Sequence, residues 1–160
     1  MFLIAGYSAQ SQDLNKSKKD DRTGQDILYG YCNREGLQSG DFGKIFQSEY
    51  QDYKPEKKLI KKFKKKKPGL FIVIVLGTWC PDSQEHVPHF FKILDEAGIP
   101  DKSVRVIGVD GYKKCDGVGL ERYKIKKVPT FIFFRQEKEL GRIIEHPEGS
   151  LEEDILGILE

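Results

Sequence analysis

The sequence predicts an α/β fold in which a central mixed β-sheet is flanked by helices and preceded by an α-helical amino-terminal extension. The run GLFIVIVLG at residues 69–77 is apolar and β-branched over the length of a strand, which is typical of a strand covered on both faces. Residues 81–97 follow with an apolar stripe at helical spacing. Three further β-rich runs, a short helix and a closing amphipathic stretch complete a β-α-β-α-β-β-α order, which indicates an α/β sandwich.

Residues 25–68 form the predicted extension, a strand followed by two helices. The first helix is capped by Ser39 or Asp41 and ends before Lys54-Pro55. Its apolar residues recur at near-helical spacing and are Phe42, Ile45, Phe46 and Tyr50. The second helix presents an apolar face made of Leu59, Ile60 and Phe63.

The carboxyl-terminal domain is predicted to span residues 69–160. Its long helix begins at Pro81 and ends near Ala97, where Gly98 stops it. The run SVRVIGVD predicts a strand and GLERYKI a short helix. TFIFF and LGRIIEH then predict a hairpin around RQEKE, and Ser150 caps the last helix.

Residues 1–24 are predicted to combine the remnant of a signal peptide with a flexible leader. MFLIAGYSAQSQ has an apolar patch, small residues and an Ala9-Gln10 junction, but it has no basic leader, and Tyr7 stands where a small residue is expected. Residues 10–24 are polar and offer little to bury. We therefore expect an exported protein. A disordered amino terminus on a cytoplasmic protein is the alternative.

The length of the chain limits the number of domains, and its net charge favours no particular kind of binding partner. A chain of 160 residues can bury the core of one domain with extra segments, and its formal net charge is only +2. Three cysteines, an odd number, exclude a fully paired disulfide framework. The lysine-dense stretch Lys57–Lys67 has the pattern of a solvated helix face, so we predict neither nucleic-acid binding nor membrane contact through it.

Four features of the carboxyl-terminal domain together resemble the thioredoxin superfamily. Trp79-Cys80 stands at the end of a strand, Pro88 lies inside the following helix, Val128-Pro129-Thr130 precedes the hairpin, and a helix closes the chain. The similarity covers roughly residues 69–160, and the preceding extension would supply the opening strand and helix. The sequence GTWCPDSQEHVPHFFKIL looks most like small exported thioredoxin-like proteins of Bacteroidetes-type bacteria, and this resemblance implies a periplasmic or otherwise exported protein.

The resemblance implies a reactive thiol beside a substrate groove. Cys80 would lie at the first turn of a helix, where unpaired backbone N–H groups and the helix dipole favour a thiolate. The proline after Val128, cis by resemblance, would turn that backbone toward the thiol so that an extended substrate can pair with it. The residues predicted to bind substrate are Trp79, Pro81, Val128, Pro129 and Thr130.

Two departures from the superfamily pattern change the predicted chemistry. Ser83 stands in place of the second cysteine, and Ile74 in place of the buried carboxylate expected six residues before Cys80. A serine cannot break a mixed disulfide, but its hydroxyl can donate a hydrogen bond to the Cys80 sulfur. We therefore predict monothiol exchange at Cys80, with Ser83 as its catalytic helper. The predicted partners are protein thiols or disulfides, glutathione or another low-molecular-weight thiol, and no cofactor is expected.

Two other functions stay open. Cys115 follows a strand whose carboxyl end lies on the active-site side of this fold, so it would serve as a displaced resolving cysteine for Cys80. In the other alternative the chain is a binding module that keeps the fold and performs no sulfur chemistry.

A metal site is not predicted. Glu85, His86 and His89 have helical spacing, but Pro88 is expected to interrupt their face and no fourth ligand is evident.

Overall fold

The computed structural model describes residues 13–160, so the predicted signal remnant at residues 1–12 lies outside the described residues. The strands are β1 (Ser17–Lys19), β2 (Asp26–Leu28), β3 (Gly30–Cys32), β4 (Leu70–Leu76), β5 (Val104–Gly108), β6 (Thr130–Arg135) and β7 (Lys138–Ile144). The α-helices are α1 (Arg34–Leu37), α2 (Gly40–Asp52), α3 (Lys57–Lys66), α4 (Pro81–Ala97) and α5 (Leu151–Leu159). Short 3₁₀ helices lie at Asp101–Ser103 and Leu120–Tyr123.

Five strands form one mixed sheet in the order β3-β5-β4-β6-β7. The apolar run of β4 lies at its centre, parallel to β5 and antiparallel to β6. The edge strands β3 and β7 are antiparallel to their neighbours. A mixed sheet with helices packed against it confirms the predicted fold class. β1 and β2 pair in a separate antiparallel ribbon.

The two faces of the sheet bury two different hydrophobic clusters. Helices α2 to α5 cover one face, where the fully buried aromatic side chains include Phe46, Phe90 and Phe131. The opposite face is covered by the segment after β5, which packs Val118 and other apolar residues onto the sheet. Cys80 belongs to this second cluster. The thiol therefore lies on the face that is covered by irregular chain rather than by long helices.

Local signals place the helix ends where the sequence predicts them. Ser39 is the N-cap of α2, and α4 ends at Gly98, whose φ of 72° is a left-handed conformation that glycine adopts at little cost. Ser150 and Glu153 form a reciprocal capping box at the start of α5. The predicted short helix in GLERYKI is a 3₁₀ helix.

The amino-terminal ribbon differs from the prediction of a flexible leader up to residue 24. β1 and β2 pair there, and Asp20 in the turn between them is buried although it carries a charge. Its carboxylate accepts hydrogen bonds from the Thr23 amide and hydroxyl and, across the molecule, from the Gly111 amide at 2.8 Å. Hydrogen bonds therefore hold this segment in place. Its lack of apolar residues wrongly suggests a flexible leader, because order here comes from polar contacts.

The lysine-dense helix α3 has one buried side. Ile60 and Phe63 enter the main core, whereas most of its lysines are exposed. Among residues 13–160, no helix is long and apolar enough to cross a membrane.

A candidate thiol site at the start of helix α4

Cys80 is the N-cap residue of α4. Its amide donates to the Gly77 carbonyl at 2.9 Å, which closes the turn between β4 and the helix. The side chain is 7 % exposed, and its Sγ lies 3.5 Å from the Val128 carbonyl oxygen. Pro81 follows at the first helical position, where its missing N–H leaves no hydrogen bond unmade. The sulfur therefore lies at the positive end of a 17-residue helix, where a negative charge is stabilised.

The Val128–Pro129 segment forms the wall opposite the thiol. The peptide bond between these residues is cis. The Pro129 carbonyl accepts from the Glu145 amide at 2.7 Å, which ties the segment to the end of β7. Glu145 also pairs with Lys127 at 2.8 Å, and this contact lowers the pKa of Glu145 and raises that of Lys127. The Thr130 hydroxyl donates to the Lys127 carbonyl at 2.7 Å, so Thr130 braces the turn.

Trp79 lies beside the thiol and is held from two directions. Its indole N–H donates to the Val109 carbonyl at 3.1 Å, and its ring covers Gly77, where a Cβ would lie 2.5 Å from the nearest ring atom. The amino-terminal ribbon reaches the same place, because the Arg22 guanidinium lies 6.0 Å from the centre of the indole ring and donates to the Gly111 carbonyl. The ribbon therefore contributes to the surroundings of Trp79, the residue next to Cys80.

Ser83 is completely buried one turn into α4. Its Oγ accepts a hydrogen bond from the Gly77 amide at 3.2 Å. This contact uses the oxygen and leaves the hydroxyl proton for another acceptor, so donation to the Cys80 sulfur stays a prediction. Ile74 is also fully buried and packs in the helix-covered cluster, on the opposite side of β4 from the cluster that holds Cys80.

The other two cysteines are buried thiols. All three cysteines are free in the structure. Cys115 lies in the same apolar cluster as Cys80, and burial raises the pKa of its thiol, with the charge of Asp116 acting in the same direction. Cys32 belongs to the other cluster, and burial raises its pKa to about 12. The displaced Cys80–Cys115 pair stays a hypothesis.

A further group of polar side chains lies along α4. A carboxylate oxygen of Glu85 and one ring nitrogen each of His86 and His89 lie within 4.8 Å of one another. Burial lowers the pKa of His86. The expected interruption by Pro88 does not occur, because α4 is continuous and Pro88 is buried. These residues could hold a metal ion.

Sequence patterns miss the long-range contacts around the thiol. The sequence DDRTG, with Asp20 and Thr23 three residues apart, is a turn signal of the kind in which a carboxylate binds a following amide and hydroxyl. It could have predicted the turn between β1 and β2. Nothing in it points to Gly111, so the contact of the ribbon with the site had no local signal.

Comparison with known proteins identifies the family of the chain. No curated protein matches the sequence. Solved structures that are similar include a protein of unknown function from Pseudomonas aeruginosa, at 15% identity over 73% of this chain and 70% of that one, with a TM-score of 0.47. The germline-specific thioredoxin Deadhead of Drosophila melanogaster is 22% identical over 62% and 86% of the two chains, with a TM-score of 0.40. Fasciola hepatica thioredoxin is 22% identical over 63% and 88%, also with a TM-score of 0.40. Residues 44–154 match the family model described as thioredoxin, and the chain belongs to the thioredoxin family.

Proposed function

We propose that this protein performs thiol–disulfide exchange as a monothiol, with Cys80 as the reacting residue. Membership of the thioredoxin family and the thioredoxin-like fold support a general role in thiol oxidoreduction or binding. The observation that carries the finer proposal is the position of the Cys80 sulfur, at the amino end of α4 and 3.5 Å from the Val128 carbonyl oxygen, while the residue one turn later is Ser83.

The proposed reaction begins with the Cys80 thiolate. It attacks one sulfur of a substrate disulfide, the substrate S–S bond breaks, and the other substrate sulfur leaves as a thiolate. Cys80 is then joined to the substrate in a mixed disulfide. A second, external thiolate attacks that bond, releases Cys80 and becomes oxidised in its place. Protein thiols or glutathione would supply this second sulfur.

The chain itself would position the substrate. The Val128 carbonyl faces the sulfur, and Lys127, Pro129 and Thr130 are fixed by the hydrogen bonds to Glu145 and within the turn. Because this segment is already ordered, it loses little conformational entropy when an extended substrate backbone binds to it. Trp79, which is held by the Val109 carbonyl, would shield another side of the thiol.

Mapping of mixed disulfides tests the proposal. The wild type, Cys80→Ala and Cys115→Ala would each be treated with oxidised glutathione, and every cysteine assigned by peptide mass. We expect one glutathione on Cys80 in the wild type and in Cys115→Ala, and none in Cys80→Ala. The monothiol should also reduce insulin poorly, since it has no internal resolving thiol.

Two outcomes would replace the proposal. An intramolecular Cys80–Cys115 disulfide would establish the displaced pair, and insulin reduction that is fast in the wild type but lost in Cys115→Ala would agree with it. A Cys80 that takes no glutathione would favour a binding module, in which Cys80→Ala leaves partner binding intact.

A further inference from the structure

The outer side of α4 carries a three-residue cluster that the proposed thiol chemistry does not use. Glu85 is exposed and His86 is partly exposed, so solvent can reach the group from their side, whereas the His89 side chain is only 14 % exposed. One donor atom from each residue lies within 4.8 Å of the other two. Ligands of a tetrahedral zinc ion lie about 3.4 Å apart, given Zn–N bonds of about 2.0–2.1 Å. Small side-chain rotations would therefore bring these three donors to bonding distance.

His89 is already held in an orientation that suits a metal ligand. Its Nε2 lies 2.8 Å from Oε2 of Glu49 on α2, and its ring stacks on Tyr53 with 4.2 Å between ring centres. A carboxylate accepts in this contact, so the tautomer that fits it donates from Nε2 and keeps the lone pair of Nδ1 for a metal ion. Metal-binding histidines usually donate their second nitrogen to a carboxylate in this way.

The donor set indicates the class of metal. Two imidazoles and one carboxylate favour a borderline transition metal over magnesium or calcium, which bind mainly oxygen. Three protein ligands leave a fourth coordination position open to water or to another molecule. We propose that Glu85, His86 and His89 bind a zinc ion, with Glu49 as the residue that positions His89.

Calorimetric titration with zinc chloride tests the site in the full chain. We expect one zinc ion per wild-type molecule. His86→Asn and Glu85→Gln, at accessible positions, should each weaken binding by about tenfold or more, and Glu49→Ala by about tenfold because it removes the acceptor that orients His89. Glu96→Gln is the matched control, since it removes an exposed carboxylate near the other end of α4 and should bind as the wild type does. Circular dichroism would verify that each variant is folded.

Thiol ligation is the competing explanation of any zinc binding. Cys80→Ala should keep the wild-type affinity, and cobalt substituted for zinc should show no sulfur-to-metal charge-transfer band. The proposal is overturned if the wild type binds no zinc, if His86→Asn and Glu85→Gln bind it as tightly as the wild type, or if Cys80→Ala or Glu96→Gln abolishes binding.

Discussion

A single methyl group added at Gly77 should disturb both the stability of the protein and the surroundings of its thiol. The Cβ of Gly77→Ala would stand 2.5, 2.6 and 2.8 Å from three atoms of the Trp79 indole, well inside the separation of about 3.5 Å at which carbon atoms attract. The ring cannot swing away without breaking its 3.1 Å hydrogen bond to the Val109 carbonyl. Overpacking costs about 1–3 kcal/mol and the lost hydrogen bond about 1 kcal/mol, so the free energy of unfolding should fall by about 2–4 kcal/mol.

Urea unfolding followed by circular dichroism measures this loss, and fluorescence reports the ring directly, because Trp79 is the only tryptophan of the chain. Gly157→Ala is the matched control. It adds the same methyl group to α5, where nothing lies within 4 Å, and it should raise stability by about 0.5–1 kcal/mol because alanine favours a helix over glycine. If Gly77→Ala unfolds at the wild-type urea concentration with an unchanged emission spectrum, the indole is not packed on Gly77 and the argument fails.

Two further predictions concern buried ionisable groups. Burial raises the pKa of Cys32 to about 12. At pH 8 its thiolate fraction is therefore roughly a thousandfold smaller than that of an ordinary thiol, and its reaction with iodoacetamide should be slower by the same factor. Peptide mass mapping measures the reaction, and alkylation of Cys32 in the native protein as fast as in urea would contradict the prediction. Burial raises the pKa of Asp20, but hydrogen bonds from Gly111 and Thr23 outweigh burial and leave the pKa below its ordinary value. Asp20 therefore adds stability above its unfolded pKa of about 3.9 and loses it as the pH falls through the folded pKa. Urea titrations at a series of pH values should show a shallower acid loss for Asp20→Asn, and parallel curves for the two proteins would count against this role.

Most of the fold follows from local patterns that the sequence displays openly. β4 is an unbroken apolar run, α4 lies between Pro81 and Gly98, and Ser150 with Glu153 marks the start of α5. Each of these signals acts within a few residues, so propensity and capping chemistry suffice to predict it.

The contacts that anchor the amino-terminal ribbon and orient the proposed zinc cluster join residues far apart in the chain. Asp20 binds Gly111 and Glu49 binds His89, and neither pair has a local pattern. Asp20 is buried, whereas aspartate is usually exposed. The sequence of residues 13–24 therefore gives no sign that this segment packs against the rest of the fold. These contacts could not be predicted because the two residues of each pair lie far apart in the sequence, although the hydrogen bonds themselves are ordinary.

The position of β3 affects whether a truncated form of this protein stays monomeric. The predicted carboxyl-terminal domain, residues 69–160, looks like a natural fragment, but β3 pairs with β5 along the edge of the main sheet. A fragment without β3 would present the backbone donors and acceptors of β5 to solvent, and an apolar strand exposed in this way is a template for intermolecular pairing. A fragment that starts at residue 69 should therefore self-associate, whereas one that retains residues 13–68 keeps that edge closed.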